Sequence, residues 1–295
     1  MGQNNKKGDN NYNWFLPVVL VIILAILIVI LFIIKELKKQ PDVFPPEKPT
    51  LPIFEGQEKK KEEREHKESK RVVGKKPRVA LIIDDVGWNK EIVREIEKIN
   101  QPFTLAFLPQ AQYSKEIFDS LKQNETFDLL LHLPLEPSAP SQSLDKGLLK
   151  TDMEKEEIIE QFNKDIEYYY PYVKGINNHM GSLFTTDEEL MKILLEEIKK
   201  KHLFFIDSMT SKKSCGYLLA KEMGIKTGKR DVFIDNSSDP QYIEQQIWKL
   251  VEEAKQQGTA IGVGHARKNT IDVLKRMMPV VTEKVEIVPV SAVLE

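Results

Sequence analysis

Two adjacent carboxylates, Asp84 and Asp85, directly follow the apolar run from Val79 to Ile83. A short run of β-branched and aliphatic residues predicts a strand that is buried on both faces. Burying two neighbouring carboxylates is costly, because they repel each other and lose their water, unless a cation or hydrogen bonds compensate. The pair precedes Gly87, and this pattern is also a common turn in which one Asp caps the next helix. The pair alone therefore leaves both a turn and a chemical site open.

Histidines and acids also lie at the carboxyl ends of several other segments that we predict to be strands, namely His132, His179, Asp207, Asp235 and His265. Three of the chain's five histidines are in this group, and structural hydrogen bonding alone explains such a set poorly. Two imidazoles and a carboxylate, with water in the open positions, suit Zn²⁺ or a similar transition-metal ion at a hydrolytic centre. We therefore predict a divalent-metal site, with a second carboxylate as base and a remaining histidine as acid.

Strand-like and amphipathic helical segments alternate from Arg78 to Glu295. The predicted strands cover residues 78–83, 103–108, 127–133, 174–178, 203–206, 225–234, 259–263 and 285–290. This alternation predicts an α/β fold of parallel strands with crossover helices, and seven or eight such units favour a distorted, TIM-like (β/α) barrel. In such a barrel the carboxyl ends of all strands meet at one end, where the acids and histidines would converge. No glycine-rich phosphate loop follows the first strand, so a nucleotide-binding fold lacks support.

The first 77 residues differ in composition from the rest. Residues 1–13 form a short polar tail, and residues 14–34 are almost entirely apolar. About 20 such residues span a bilayer as a helix, and the lysines that follow favour an uncleaved signal anchor over a cleaved signal peptide. Residues 35–77 carry prolines and then a mixed run of Lys and Glu, which predicts a disordered linker. The sequence thus predicts a single-pass membrane protein, although the flanking lysines do not fix its orientation.

The composition excludes some classes of protein and site. The chain has 295 residues and a formal net charge of -2, which argues against a nucleic-acid-binding protein, since such proteins show a basic face. A single cysteine, Cys215, excludes an internal disulfide and a cysteine-cluster metal site. Residues 78–295 are long enough to form one domain with its own hydrophobic core.

Six short motifs in the predicted barrel resemble, in matching order, those of the divergent polysaccharide deacetylases. They are Ile82-Ile83-Asp84-Asp85-x-Gly87, His132-Leu133-Pro134-Leu135-Glu136-Pro137, Asn178-His179-Met180-Gly181-Ser182, Phe205-Ile206-Asp207-Ser208, Arg230-Asp231-Val232-Phe233-Ile234-Asp235-Asn236 and Gly262-x-Gly264-His265-Ala266. The resemblance extends from Arg78 to the end of the chain. It implies a distorted (β/α) barrel and membership of the wider carbohydrate esterase superfamily.

The resemblance also implies roles for individual residues. Asp84 would be the base, Asp85 and His132 would be metal ligands, and His265 would be the acid that protonates a leaving amine. Six more residues are expected to contact substrate or to support the site: Glu136, Ser182, Asp207, Arg230, Asp231 and Asp235.

The sequence departs from the family's usual pattern in two places. The second histidine of the usual His-x-x-x-His motif is Glu136 here, so the third metal ligand is either Glu136 or His179. We favour His179, because prolines flank the loop that carries Glu136. The usual Arg-x-Pro-Tyr segment is absent, and Asn178 to Ser182 stand near its place.

The expected function follows from the anchor and the resemblance together. We expect a membrane-anchored, metal-dependent hydrolase that deacetylates N-acetylated sugars of a cell-envelope polysaccharide such as peptidoglycan. The barrel would lie outside the cytoplasm, an expectation that rests on the family and not on flanking charge. The alternative is a non-catalytic envelope protein that binds a glycan or a partner on a degenerate deacetylase barrel.

Overall fold

The structure, a computed structural model, describes residues 75–139 and 147–295. The predicted polar tail, the membrane segment at residues 14–34 and the linker as far as residue 74 lie outside the described residues. Within the described ranges, no helix has both the length and the apolar character needed to cross a bilayer.

The described residues form nine strands and seven α-helices. The strands are β1 (Arg78–Val86), β2 (Thr104–Phe107), β3 (Asp128–Leu135), β4 (Gly175–Met180), β5 (Phe204–Asp207), β6 (Thr227–Lys229), β7 (Val232–Phe233), β8 (Thr259–His265) and β9 (Glu286–Val288). The helices are α1 (Lys90–Ile99), α2 (Ser114–Leu121), α3 (Lys155–Ile166), α4 (Glu188–Lys200), α5 (Gly216–Glu222), α6 (Pro240–Gln257) and α7 (Lys268–Lys284).

The strands form one curled, parallel sheet in the order β6-β5-β4-β3-β2-β1-β8-β7, and β9 pairs separately with β1. All pairs in this sheet are parallel, as the alternation of strands and helices predicts. Among the described residues β6 and β7 do not pair with each other, so the eight-stranded barrel is open between them. The architecture is that of a distorted, incompletely closed barrel.

The sheet is apolar on both faces, which explains the unbroken apolar run in β1. Val79, Leu81 and Ile83 pack in the large core between the sheet and the helices. Ala80 and Ile82 alternate with them and face the barrel interior, where Val263 and Val290 join the same cluster. The interior cluster is much smaller than the outer one, because the curled sheet leaves little room inside.

The segment predicted as one strand at residues 225–234 is in fact two short strands, β6 and β7. The break lies at Arg230 and Asp231, where the backbone changes partner. The Arg230 N–H donates to the carbonyl of Asp207 on one side of the opening (2.9 Å), and the Asp231 N–H donates to Ile261 on the other side (2.8 Å). One straight strand cannot pair with both edges of an open barrel, so the chain bends there.

The last predicted strand, residues 285–290, is also shorter than expected. Within this segment the three residues of β9 pair with β1, and a single 3₁₀ turn from Val290 to Val293 follows them. Val290 is fully buried in the barrel interior. This segment therefore closes the amino end of the barrel, and it adds only the short strand β9 to the sheet.

Candidate metal centre and acid–base pair

Asp84 and Asp85 lie at the carboxyl end of β1, where the strand becomes irregular. The register of β1 against β2 shifts between Ile83 and Val86, and Asp85 has a left-handed backbone with φ of 59°. Adjacent side chains of a regular strand point to opposite faces. This irregularity brings both carboxylates near His132 Nε2, which lies 3.6 Å from Asp84 Oδ2 and 3.4 Å from Asp85 Oδ1.

Three side chains from β1, β3 and β4 converge on one point. Asp85 Oδ1 lies 3.1 Å from His179 Nδ1, and that nitrogen lies 3.1 Å from His132 Nε2. His132 is in β3 and His179 is in β4, and these strands are adjacent in the sheet. Asp85, His132 and His179 thus offer one carboxylate oxygen and two imidazole nitrogens that are close enough together to hold one metal ion.

The hydrogen bonds around this cluster fit a divalent cation. Asp85 Oδ1 is buried and has no hydrogen-bond donor among the described residues. The amide of Asn177 bridges Asp84 Oδ1 (2.7 Å) and His132 Nδ1 (3.0 Å). A carboxylate only accepts, so the Asn177 Nδ2 group faces Asp84 and its oxygen accepts the Nδ1 proton of His132. The Nε2 atom of neutral His132 then carries a free lone pair, as a metal ligand requires.

The charges of the cluster favour a cation as well. Burial alone would raise the pKa of Asp85, but its contacts with His132 and His179 outweigh burial and hold that pKa well below its usual range. Burial lowers the pKa of His132, but the nearby carboxylates of Asp84 and Asp85 outweigh burial and raise it. Burial raises the pKa of Asp84, although His132 and His265 oppose the shift. Asp85 is therefore ionised, and the carboxylates near His132 favour a positive charge at its position.

His265, at the end of β8, faces the cluster from the other side. Its Nδ1 donates to Asp235 Oδ1 (2.9 Å), and its Nε2 lies 3.8 Å from Asp85 Oδ2. The other oxygen of Asp235 accepts from the backbone N–H of His265 (2.8 Å) and from Thr270 Oγ1 (2.6 Å). Burial would raise the pKa of Asp235, but the hydrogen bond from His265 outweighs burial and lowers it. The ionised Asp235 thus directs His265 Nε2 toward Asp85.

Glu136 and Ser182 lie in loops at the rim of the site. The Glu136 Oε2 atom accepts from the backbone N–H and the hydroxyl of Thr151 (2.6 and 2.7 Å), so this carboxylate holds the loop after β3 in place. The Ser182 hydroxyl accepts from the backbone N–H of Ser138 (2.9 Å). The structure therefore places His179 beside Asp85 and His132, whereas Glu136 is outside that cluster.

Asp207 and Arg230 hold backbone segments behind the site. Asp207 accepts from the backbone N–H groups of Met209 and Tyr217 (2.8 and 3.0 Å). Arg230 donates to the carbonyls of Ser208 (2.6 Å) and Met209 (2.8 Å), and its guanidinium lies 4.8 Å from the ring centre of Phe233. These contacts fix the loop after β5.

Asp231 has a comparable structural contact on β8. Its Oδ2 accepts from the backbone N–H of Ile261 (2.8 Å). Of the six residues expected to contact substrate or to support the site, Asp235 is the one whose side chain bonds to a predicted catalytic residue in the described structure.

Asn177 is the central residue that the sequence motifs did not single out. It is fully buried between Asp84 and His132. One sequence signal points to it: Asn177 precedes His179 by two residues in one strand, and such residues share a face of the sheet. A polar residue at that position is therefore expected to face the site.

Comparisons with known proteins show the family of this chain. The family model described as "Divergent polysaccharide deacetylase" matches residues 81–294. An uncharacterised protein of Haemophilus influenzae is 31% identical over 211 residues, which cover 72% of this chain and 74% of that protein. The uncharacterised protein YibQ of Escherichia coli is 29% identical over 217 residues, which cover 74% of this chain and 67% of YibQ.

A solved structure shares the fold. The crystal structure of an uncharacterised protein from Agrobacterium tumefaciens C58 superposes with a TM-score of 0.69 at 22% sequence identity. The superposition covers 75% of this chain and 91% of that protein.

Proposed function

The chain belongs to the divergent polysaccharide deacetylase family, and on that premise we propose that it is a metal-dependent hydrolase that removes acetyl groups from N-acetylated sugars. One observation carries the proposal. A cluster suited to a metal ion lies between a buried carboxylate, Asp84, and an oriented His265–Asp235 pair. Binding a glycan needs no such acid and base, whereas hydrolysing an amide needs both.

The metal would be held by Asp85, His132 and His179. This donor set of one carboxylate and two imidazoles suits Zn²⁺ best, although other transition ions accept the same ligands. When bound, such an ion would polarise the acetyl carbonyl and lower the pKa of a water molecule next to it.

Asp84 is placed to take a proton from the attacking water. Its Oδ1 is held by Asn177, while its Oδ2 lies on the cluster side, 3.6 Å from His132 Nε2. A carboxyl group whose pKa is raised by burial is a stronger base than an exposed one. Asp84 therefore combines a fixed position with an increased affinity for the proton.

His265 is placed to give a proton to the departing amine. The water oxygen joins the acetyl carbon, the carbon–nitrogen bond breaks, and the sugar nitrogen needs a proton to leave as an amine. His265 Nε2 points toward the cluster, and Asp235 holds the ring by its Nδ1 proton. The carboxylate of Asp235 stabilises the positive charge of a protonated His265.

The proposed substrate is a cell-envelope polysaccharide such as peptidoglycan. Residues 14–34 support membrane anchoring by their length and apolar character, and residues 35–77 support a linker with enough reach to bring the barrel to a polymer outside the membrane. The barrel would lie on the extracytoplasmic side, where such polymers are located.

Acetate release by the purified, Zn²⁺-loaded full chain tests the proposal, with N-acetylglucosamine oligomers and peptidoglycan fragments as substrates. Wild type should release acetate, and His265→Ala should reduce the rate about 100-fold or more because the general acid is lost. The control is His202→Asn, at an exposed histidine with φ of 57°, a backbone that Asn tolerates. This control should match wild type. No acetate from any substrate, with metal bound and the fold intact, would contradict the hydrolase and favour a glycan-binding protein.

A further inference from the structure

The side-chain amide of Asn177 contacts both the proposed metal ligand His132 and the proposed base Asp84. Its carbonyl oxygen lies 3.0 Å from His132 Nδ1, and its nitrogen donates to Asp84 Oδ1 at 2.7 Å. The position of the amide follows from the sheet, since Asn177 on β4 pairs directly with His132 on β3. The residue is fully buried, so bulk water does not compete with either contact.

The two partners of Asn177 need different hydrogen-bonding groups. His132 Nδ1 carries a proton and needs an acceptor, whereas the Asp84 carboxylate needs a donor. A planar carboxamide offers an acceptor and a donor side by side, and an ionised aspartate, a serine or a leucine cannot present both at these two positions. The same amide thereby leaves His132 Nε2 and Asp84 Oδ2 free on the cluster side.

We propose that Asn177 is a positioning residue that couples the metal ligand His132 to the general base Asp84. It fixes the ring tautomer that leaves His132 Nε2 free for the metal, and it orients the carboxylate of Asp84 next to that metal. This inference rests on the proposed function for the role of Asp84, but not for the role of His132.

The neighbouring Asn178 provides a matched control. It is almost as deeply buried, at 1% exposure. Its side chain donates to the carbonyl of Met180 (2.7 Å) and accepts from the backbone N–H of Ser208 (2.8 Å). The side chain of Asn178 therefore makes two hydrogen bonds of similar length to those that Asn177 makes with Asp84 and His132, but to backbone groups and not to the site; Asn177 Nδ2 also lies 3.5 Å from Ser208 Oγ.

The test compares Asn177→Ala, Asn177→Asp and Asn178→Ala in the full chain. Calorimetry measures Zn²⁺ affinity, acetate release is measured at saturating Zn²⁺, and urea unfolding measures stability.

Asn177→Ala should weaken Zn²⁺ binding about 10- to 100-fold, because a ligand loses its supporting hydrogen bond. Asn177→Asp keeps an acceptor for His132 and should bind Zn²⁺ nearly as wild type does. It replaces the donor to Asp84 with a second carboxylate oxygen, so kcat should fall about 100-fold with little change in KM. Asn178→Ala should alter stability alone.

Specific outcomes would overturn the inference. Wild-type Zn²⁺ affinity in folded Asn177→Ala would refute the role toward His132, and so would an equal loss of affinity in Asn178→Ala. Full acetate release by Asn177→Asp would refute the role toward Asp84. If Asn177→Ala is too unstable to measure, Asn177→Asp tests the role toward His132. Loss of Zn²⁺ affinity in Asn177→Asp would refute that role, because this variant keeps an acceptor for His132. No acetate release by wild type would instead refute the proposed function and with it the role toward Asp84, while the order of Zn²⁺ affinities would still decide the role toward His132.

Discussion

The carboxylate of Asp85 has histidines on two sides, and its two oxygen atoms have different neighbours. Oδ1 faces His132 and His179, whereas Oδ2 faces His265 at 3.8 Å. The backbone at Asp85 is left-handed, a conformation that costs a residue other than glycine about 1–3 kcal/mol. Local strain of this kind is expected where a side chain must be aimed at a site.

The choice between His179 and Glu136 as third ligand can be tested by metal binding. His179→Ala and Asp85→Ala should each lower Zn²⁺ affinity by at least about 100-fold, because each removes one of three protein ligands. Glu136→Gln should bind Zn²⁺ as wild type does, since the Glu136 carboxylate is bonded to Thr151 outside the cluster. Calorimetric titration measures all three, and unchanged Zn²⁺ affinity in His179→Ala would show that our ligand set is wrong.

Asp235 and Asp231 allow a matched test of the proposed general acid, His265. Each accepts a hydrogen bond of 2.8 Å from a backbone N–H of β8, but only Asp235 also bonds to the His265 ring. Asp235→Asn should lower the rate of acetate release about 100-fold at unchanged Zn²⁺ affinity, because the His265 ring loses its charged partner. Asp231→Asn should keep the rate. Equal rates of acetate release in the two variants would contradict the role that we assign to Asp235.

The site residues differ in how far the sequence predicts their positions. Asp85, His132, His179 and His265 all lie at or next to the carboxyl ends of predicted strands, and barrel geometry then brings them to one end. The contact between Asp235 and His265 could not be predicted in detail, because it depends on how the loop after β7 folds against the end of β8. Asn177 escaped notice because it lies inside the strand, where a polar residue commonly has only a structural hydrogen bond.

At the level of the elements, the helices and most strands follow from the apolar pattern, whereas breaks within strands do not. The apolar residues from Ile225 to Ile234 predict one strand, but the structure has β6 and β7. The break depends on Arg230 and Asp231 bonding to opposite edges of the open barrel. Such a break depends on tertiary contacts, which local sequence does not encode.

A buried carboxyl group on α3 should make stability depend on pH. Asp165 accepts a hydrogen bond from Gln110 Nε2 at 2.7 Å, but Asp165 Oδ2 and Gln110 Oε1 are buried without partners among the described residues. Burial, although opposed by nearby groups, raises the pKa of Asp165 from 3.8 to about 6. The folded state therefore binds this proton more tightly than the unfolded state does. Asp165 should favour folding at low pH, and this contribution should be lost as the pH rises from about 4 to about 6.

Asp165→Asn should remove this dependence and stabilise the chain at about pH 8 by roughly 1–3 kcal/mol. The new amide has no charge to bury, and it can donate where the wild-type oxygen has no partner. Urea unfolding at about pH 5 and about pH 8 measures the effect. The control is Glu167→Gln, at an exposed carboxylate just after the same helix, and it should change little. Lower stability of Asp165→Asn at the higher pH would show that the prediction is wrong.

At the level of the whole molecule, the residues from Val290 to Glu295 close the amino end of the barrel. The Val290 N–H donates to Thr104 Oγ1 (3.0 Å), and Glu295 and Thr227 exchange two backbone hydrogen bonds of 3.1 Å. The sequence predicts the barrel class from the number of alternating units. It does not predict this closure, because a short apolar segment such as 285–290 is equally typical of a strand.

Val290→Ala should destabilise the barrel by roughly 2 kcal/mol, because it removes buried methyl groups and leaves a cavity in a small core. The matched control, Val280→Ala, changes a valine that is 46% exposed on α7 and should cost far less. Urea unfolding measures both variants. Zn²⁺ affinity should remain at the wild-type value in each, because the metal cluster lies at the opposite end of the strands. Equal stability of the two variants would contradict a closing role for this segment.

Acetate release by Asp84→Asn at saturating Zn²⁺ tests most directly whether this chain hydrolyses its substrate with Asp84 as base. This variant keeps the shape of Asp84 but removes the carboxylate that would take the proton. We predict that it binds Zn²⁺ at a wild-type stoichiometry and releases acetate from N-acetylated glycans at least about 100-fold more slowly than wild type. Acetate release at the wild-type rate, with Zn²⁺ bound, would show that Asp84 is not the base.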